Sequence, residues 1–443
     1  MITHLRQHLT TCASVVLVCH AVLKPPWEPS LNSLNPVDLL DPTTASGVVV
    51  YGLVAIAIAA LGRWGRRLWV QPLRRLILSL PYVLRRPLMR LAYLLVPSWR
   101  SFSSATERQA HNLQDRINAL SKRKRVPVCA VGGTYLDILF GPVDLHPPWD
   151  AERSTLQHVD ISVGGSCYHL CKHLWDGFQI RTRLFTAIGQ QDWASGILES
   201  ELRRLHHVRP EMTMVPGARA GTSVHAQSVD LGSSPTYTYL GSVEQLRWGD
   251  VLVKMQKAFR GHVGILYLGG VLRTDLIGDM PDAIRQLSPG VLVVIDPGRT
   301  DPELGTEKYT QLARLLRLGC GDILIMSPTE MRLFLKANGL DVPEADDGAM
   351  LAAAADSELL PRVTIIRGQK ASGYPKAALI LDGRISLQQG DDSHWTPGAK
   401  IGGLQAFNAA LIRELMRERS RLTLEDRLSA ATRNALIYWS SQD

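Results

Sequence analysis

Across residues 126–443 the apolar positions follow two rhythms. Short, almost unbroken apolar runs at 126–131, 183–188, 264–268, 291–295, 322–326 and 363–366 read as strands covered on both faces, as in a parallel sheet. Between them, segments with apolar residues every three or four positions predict helices at 193–206, 279–287, 308–318, 329–338 and 348–358. Strand and helix in alternation predict an α/β domain, a parallel sheet layered between helices. Two stretches break the rhythm, 157–163 and 221–240, the second carrying the run Thr236-Tyr237-Thr238-Tyr239. They predict a small antiparallel sheet of about four or five strands that closes over a ligand as a flap. A last amphipathic helix is expected at 423–439.

The first 125 residues follow other rules. Residues 45–62 carry no charge, and eighteen residues at ~1.5 Å rise each just cover a bilayer core. Arg63, Arg66 and Arg67 follow at once with Trp64 and Trp69, the residues of a membrane interface, so 45–62 is expected to span a membrane. Residues 12–23 form a shorter apolar run containing His20, which leaves open a signal-peptide core, an interfacial helix or an organelle-targeting segment. From 64 to 96, arginine pairs alternate with apolar residues and Pro72, Pro81 and Pro87 cut the run into short pieces. Two readings stay open there, broken amphipathic helices on an anionic lipid surface or helices docked on a partner subunit. Residues 101–121 read as a polar, partly helical linker and 122–125 as a basic hinge. The division expected is therefore 1–44, 45–62, 63–125 and a globular domain at 126–443. The positive-inside tendency puts that domain on the cytoplasmic, matrix or stromal side, an organelle inner membrane such as the mitochondrial one being favoured.

Charge sharpens this division. The chain of 443 residues has a net charge of +8, but fifteen Lys and Arg stand against only Glu107 and Asp115 between 63 and 125, and the remainder from 126 is net acidic. The basic character thus belongs to the extension and implies no specific nucleic-acid partner for the globular domain. Six cysteines without framework spacing read as free thiols of a reducing compartment.

Candidate chemistry centres on residues 397–415, a glycine loop opening directly into a helix. Gly402 and Gly403 let the backbone approach a ligand, and the free N–H groups from Leu404 onward form an anion hole. The residue that begins the helix, Gln405, is an amide and cannot take a proton. Asp137, just past the first strand and Gly132-Gly133, is expected at the carboxyl end of the sheet, where open α/β sheets bind ligands. Cys167, His169, Cys171 and His173 look metallic, but on a helix the two i,i+4 pairs fall on opposite faces and cannot meet one ion. Ser327 and Glu330 are spaced as a capping box.

Taken in order, these pieces resemble the ribokinase-like (pfkB) carbohydrate kinases over essentially all of 126–443. Gly132-Gly133 with Asp137 resemble the family's opening strand and sugar-binding acid, and Gly164-Gly165 its paired glycines. Residues 189–196 (GQQDWASG) are similar to its G-x-D-x-x-G turn with one residue added. LYLGG (266–270), DPGR (296–299), SPTE (327–330) and GGLQAFNAAL (402–411) follow in family order. The resemblance implies a three-layer α/β/α domain with a small β lid, and transfer of the γ-phosphoryl of ATP, with Mg²⁺, to a hydroxymethyl group of a sugar or nucleoside. It implies substrate contacts at Asp137, Gly164, Gly165 and His169, where the family has Asn, and an anion hole at Gly402, Gly403 and Leu404. Glu330, with Ser327 replacing the family's Asn, falls at the magnesium shell.

The family's catalytic Asp falls at Gln405, and Ala399-Lys400-Ile401 replace the residues expected before the anion hole. Nothing in the spacing makes Asp391 or Asp392 a substitute base. The expectation is a membrane-anchored protein of this fold with an inactive or weak kinase site, a binding or structural subunit whose partners are membrane lipids and other subunits. The alternative is an active, ATP-dependent sugar or nucleoside kinase.

Overall fold

The computed structural model describes residues 113–123, 125–143, 158–190, 192–228, 236–260, 263–298, 302–343, 346–369, 375–389, 403–417 and 422–441. Chain contacts divide the protein into two units, Met1–Ser103 and Ser104–Asp443. The first lies wholly outside the described residues, and with it the expected span at 45–62 and the basic run that follows. Among the described residues, no helix is long and apolar enough to cross a membrane.

Within the second unit the alternating pattern folds as a nine-stranded sheet among the described residues, in the order β13-β12-β11-β10-β9-β8-β1-β4-β5. Its strands are β1 (Val128–Gly132), β4 (Thr182–Gly189), β5 (Val208–Val215), β8 (Gly264–Gly269), β9 (Val291–Asp296), β10 (Ile323–Met326), β11 (Val363–Gln369), β12 (Pro375–Leu381) and β13 (Arg384–Gln389). From β5 across to β11 every pairing is parallel, whereas β12 and β13 join antiparallel at one edge. The wholly parallel sheet expected from the pattern is thus corrected to a mixed one. A hairpin needs only a tight turn, and Asp382-Gly383 supplies it, both at positive φ.

Side chains alternate between two apolar layers along each central strand. On β9, Leu292 and Val294 join one core, and Val291, Val293 and Ile295 the other. The first core is roofed by α2 (Ser166–Phe178), α3 (Trp193–Arg204), α9 (Gly403–Met416) and α10 (Leu424–Ser440). The second is roofed by α4 (Trp248–Phe259), α5 (Leu276–Arg285), α6 (Pro302–Arg317), α7 (Pro328–Ala337) and α8 (Asp347–Asp356). The result is the three-layer arrangement that the periodicity predicts.

One boundary moves. The stretch read as a linker contains α1 (Leu113–Ser121), whose Leu113, Ile117 and Leu120, on one face, are buried in the first core. Arg116 fixes it, donating from Nη1 and Nη2 to Asp322 at 2.7 and 2.5 Å and reaching the Val291 carbonyl at 3.3 Å. A helix with one apolar face and a buried ion pair belongs to the domain, which therefore begins before Val126.

The lid also differs from expectation. It has four described strands in the order β3-β2-β6-β7: β3 (His158–Gly164), β2 (Tyr135–Val143), β6 (Thr222–Ser228) and β7 (Thr236–Tyr239). β2 was not expected, and it pairs in parallel with β6, so the flap is mixed rather than antiparallel. Val159 and Ile161 are exposed on β3, and Tyr237 and Tyr239 on β7.

Candidate functional site

The parallel strands end together. The carboxyl ends of β1, β8, β9 and β11, with the start of α9, enclose a cleft of about 170 Å³. Gly133, Gly269 and Gly270 line its glycine side, and Asp296, Glu330 and Arg367 its charged side. Leu404 and Gln405, at the first turn of α9, complete it. Gln405 therefore faces the cleft, as the sequence pattern implied. Gly403 opens α9, while Gly402, Lys400, Asp391, Asp392 and Arg299 lie outside the described residues.

A buried polar network forms the cleft's charged wall. Asp296 ends β9, and its Oδ2 accepts from Asn408 Nδ2 at 2.7 Å, Tyr267 Oη at 2.8 Å and Arg367 Nη2 at 3.1 Å. Asn408 also donates to Tyr267 Oη at 2.9 Å. Both ends of the ion pair are almost wholly buried, Asp296 and Arg367 each at 2% exposure. Among the described residues, Arg367 Nε and Nη1 meet no acceptor, and Asn408 Oδ1 meets no donor. Burial alone disfavours the charged guanidinium, but Asp296 and Glu330 hold its pKa above the ordinary value.

Ser327 and Glu330 make the capping box that their spacing predicted. Ser327 Oγ accepts from the Glu330 N–H at 3.3 Å, and Glu330 Oε2 accepts from the Ser327 N–H at 2.7 Å. Burial, then the nearby Asp296, push the Glu330 carboxyl above its ordinary range, against the pull of Arg367. These residues fit a magnesium shell poorly. Mg²⁺ needs free, ionised oxygens at close range, yet one oxygen of each carboxylate is engaged, the Glu330 carboxyl resists ionisation, and a fixed guanidinium stands beside both. Among the described residues, no group of three or more His, Cys, Asp or Glu is arranged to hold a metal ion.

A second constellation lies under the lid. Asp137 sits inside β2 rather than beyond the end of β1, a correction to its expected place, paired across to Ser162 and Ser223. It is buried at 4% exposure between two imidazoles, His169 Nε2 at 3.8 Å from Oδ2 and His225 Nε2 at 3.7 Å from Oδ1. These separations exceed a hydrogen bond but set both rings close against the carboxylate. Burial raises the Asp137 pKa, but the imidazoles lower it further, leaving it below the ordinary 3.8. His225 is oriented through Nδ1, 3.0 Å from Thr236 Oγ1.

The paired glycines make this geometry. A Cβ on Gly164 would fall 1.7 Å from Asp137 Oδ2, so the carboxylate lies flat against a bare backbone. Gly165 caps α2 at φ 99°, and a Cβ there would meet the Gly133 carbonyl at 2.5 Å. Asp137, Gly164, Gly165 and His169 are thus brought together, and Tyr135, two positions along β2 from Asp137, lines the cleft beside Arg273. In the G-x-D-x-x-G-like turn, Asp192 serves the fold, capping α3 at Ser195 N, 2.8 Å away, and tying down Ala220 N at 3.1 Å. Cys167 and Cys171 are buried in the core, the Cys171 thiol pushed up to about 12 by burial, while His169 turns to the lid.

Sequence reasoning missed Arg367, Asn408, Tyr267, Arg273 and His225. Two left a trace: Arg367 ends an apolar strand run, and Asn408 stands alone among the apolar residues of 406–412 near the start of α9. An isolated polar residue in such a setting is normally satisfied by a buried partner.

The class of fold this defines is that of the sugar and nucleoside kinases, and solved structures bear it out. A ribokinase from Giardia lamblia has a TM-score of 0.54 at 14% identity, over 72% of this chain and 92% of that one. An adenosine kinase from Trypanosoma brucei brucei has a TM-score of 0.54 at 13% identity, over 72% and 99%. An adenosine kinase from Schistosoma mansoni in complex with 2-fluoroadenosine has a TM-score of 0.52 at 16% identity, over 70% and 94%. No family profile matches the sequence, and no curated protein matches it. The chain adopts the ribokinase-like fold, and at these identities the likeness is one of fold.

Proposed function

We propose that this chain is a membrane-tethered protein of ribokinase-like fold that binds a sugar- or nucleoside-like ligand without turning it over efficiently. In this reading it serves as a binding or structural subunit of a membrane-associated assembly. The observation that carries it is Gln405, whose amide faces the cleft where phosphoryl transfer would need a proton acceptor. The engagement of Asp296 and Glu330 in the cleft wall, each through one oxygen, supports it. The ligand class is supported by Asp137 between two imidazoles, a site for adjacent hydroxyls, and by the likeness to a kinase seen with 2-fluoroadenosine. Tethering follows from residues 45–62 and the basic run after them, with the domain on the cytoplasmic, matrix or stromal side.

The second reading, an active kinase using ATP, draws on the intact substrate side formed by Asp137, Gly164 and Gly165. One experiment separates the two. ADP production by the full-length chain is measured with ATP, Mg²⁺ and a panel of sugars and nucleosides, beside Gln405→Asp. Loss of a positioned base costs about 10²–10⁴ in rate, so wild type is expected at background, and any gain by the variant would identify the missing base. Wild-type turnover that Asp137→Ala abolishes would sink the non-catalytic reading.

A further inference from the structure

Arg367 is an arginine with no evident structural need for most of its donors. Its guanidinium is 2% exposed, yet only Nη2 is used, toward Asp296, and the N–H groups of Nε and Nη1 meet no acceptor among the described residues. Leaving charged donors unmade in a buried place is costly, unless a ligand completes them. The same side chain lines the cleft together with Leu404 and Gln405 of the first turn of α9, a 14-residue helix whose positive dipole end favours an anion. Arg273 lines the cleft as well, held beside Tyr135. Two guanidiniums and a helix start thus converge on a space of about 170 Å³ whose glycine walls let a ligand approach the backbone.

Asp296 offsets part of this charge through its ion pair with Arg367, but it engages only Nη2 and leaves the Nε and Nη1 donors unused among the described residues. Asp296 Oδ2 already accepts three hydrogen bonds, and Glu330 is turned back onto its own helix cap. A dication would have to displace the Arg367 contact or sit against its charge.

We propose that Arg367 is the resident counter-cation of this cleft, binding a phosphoryl oxyanion directly, so that phosphate-bearing ligands are held here without a divalent metal. A guanidinium suits this role, being permanently charged and presenting several fixed N–H donors to phosphate oxygens. The proposal deepens the reading of the cleft as a ligand site and rests on that reading, but it does not depend on whether turnover occurs.

The test is calorimetric titration of the purified full-length chain with inorganic phosphate, ATP and ribose 5-phosphate, each in EDTA and in excess Mg²⁺. The three arms distinguish free phosphate, a nucleotide and a sugar phosphate as the source of the group. At least one is expected to bind with affinities that agree within about twofold with and without the metal. Arg367→Gln is expected to weaken that ligand at least tenfold, with Arg367→Lys between the two, since it keeps the charge and loses the fork. Because Arg367→Gln leaves Asp296 without its cation, the double variant Asp296→Asn/Arg367→Gln, neutral at both positions, is titrated beside it and is expected to fail equally. Three results would each overturn the proposal: tightening of tenfold or more by Mg²⁺, unchanged affinity in a folded Arg367→Gln or double variant, or no binding of any of the three ligands to folded wild type. The metal comparison on wild type needs no variant, so misfolding of the mutants leaves it decisive. ADP production, measured separately, reports on the non-catalytic reading alone.

Discussion

Gly164 and Asp137 show how much a single missing side chain can arrange. With a Cβ 1.7 Å from Oδ2, Gly164→Ala forces the carboxylate off the backbone and away from His169 and His225. Overpacking of this kind costs about 1–3 kcal/mol. The variant should unfold at lower urea and lose affinity for any sugar or nucleoside ligand of the lid; unchanged binding would remove Asp137 from the ligand site. The same carboxylate makes a pH prediction. Its pKa is lowered in the folded protein, so its ionised form adds stability above about pH 4, and that stability is lost as the pH falls through the folded value. Urea midpoints measured between pH 6 and 3 should therefore fall less steeply for Asp137→Asn than for wild type. Parallel acid limbs would mean that the imidazoles do not stabilise the charge. At this scale the sequence pointed to Asp137 by its place after the first strand, and to the roles of His169 and Gln405 through the family resemblance, but not to Arg367 or Asn408. Those two acquire meaning only by meeting Asp296 from a different strand and a helix 112 positions away.

Helix α1 carries the lesson at the scale of elements. Nine residues with two adjacent charges, Asp115 and Arg116, read as a linker, because a short helix is marginal unless a partner covers its apolar face. The partner is the first core, and Arg116 reaches through it to Asp322, itself bound by the Val293 N–H at 2.8 Å. Breaking a buried pair at one end costs about 3–5 kcal/mol, so Arg116→Ala should lower the melting temperature markedly, and Arg116→Ala/Asp322→Asn should recover part of it. A chain beginning at Lys122 also loses Leu113, Ile117 and Leu120, worth about 1.5–3 kcal/mol each when buried, and should melt at least about 10 °C lower than one beginning at Ser104. Equal melting would make α1 an ornament of the surface. Arg427 adds a second tie here, donating to the Leu415 and Arg417 carbonyls at the end of α9 and to Asn118 Oδ1 on α1. Helix α9, which presents Gln405, is thereby anchored at its far end.

For the whole molecule, the sharp charge division makes a prediction of its own. The full-length chain should float with anionic vesicles and stay bound in high salt, because a span is held by apolar burial, whereas a purely basic surface contact is screened. A chain from Ser104 should remain in solution; release of the full chain by salt alone would replace the span with an electrostatic contact. The amino-acid sequence by itself determined the layers of the domain, since strand and helix periods and buried apolar runs are local properties of the chain. It also marked the lid, the glycine turns and the amide at the head of α9, because each is written in adjacent residues. Only the tertiary structure decided the mixed edge and lid, the inclusion of α1, and the cleft's charge. Pairing direction, burial of a marginal helix and the convergence of Asp296, Arg367 and Asn408 depend on which distant segments meet, and the energy of a buried charge is set by those neighbours rather than by its own residue type.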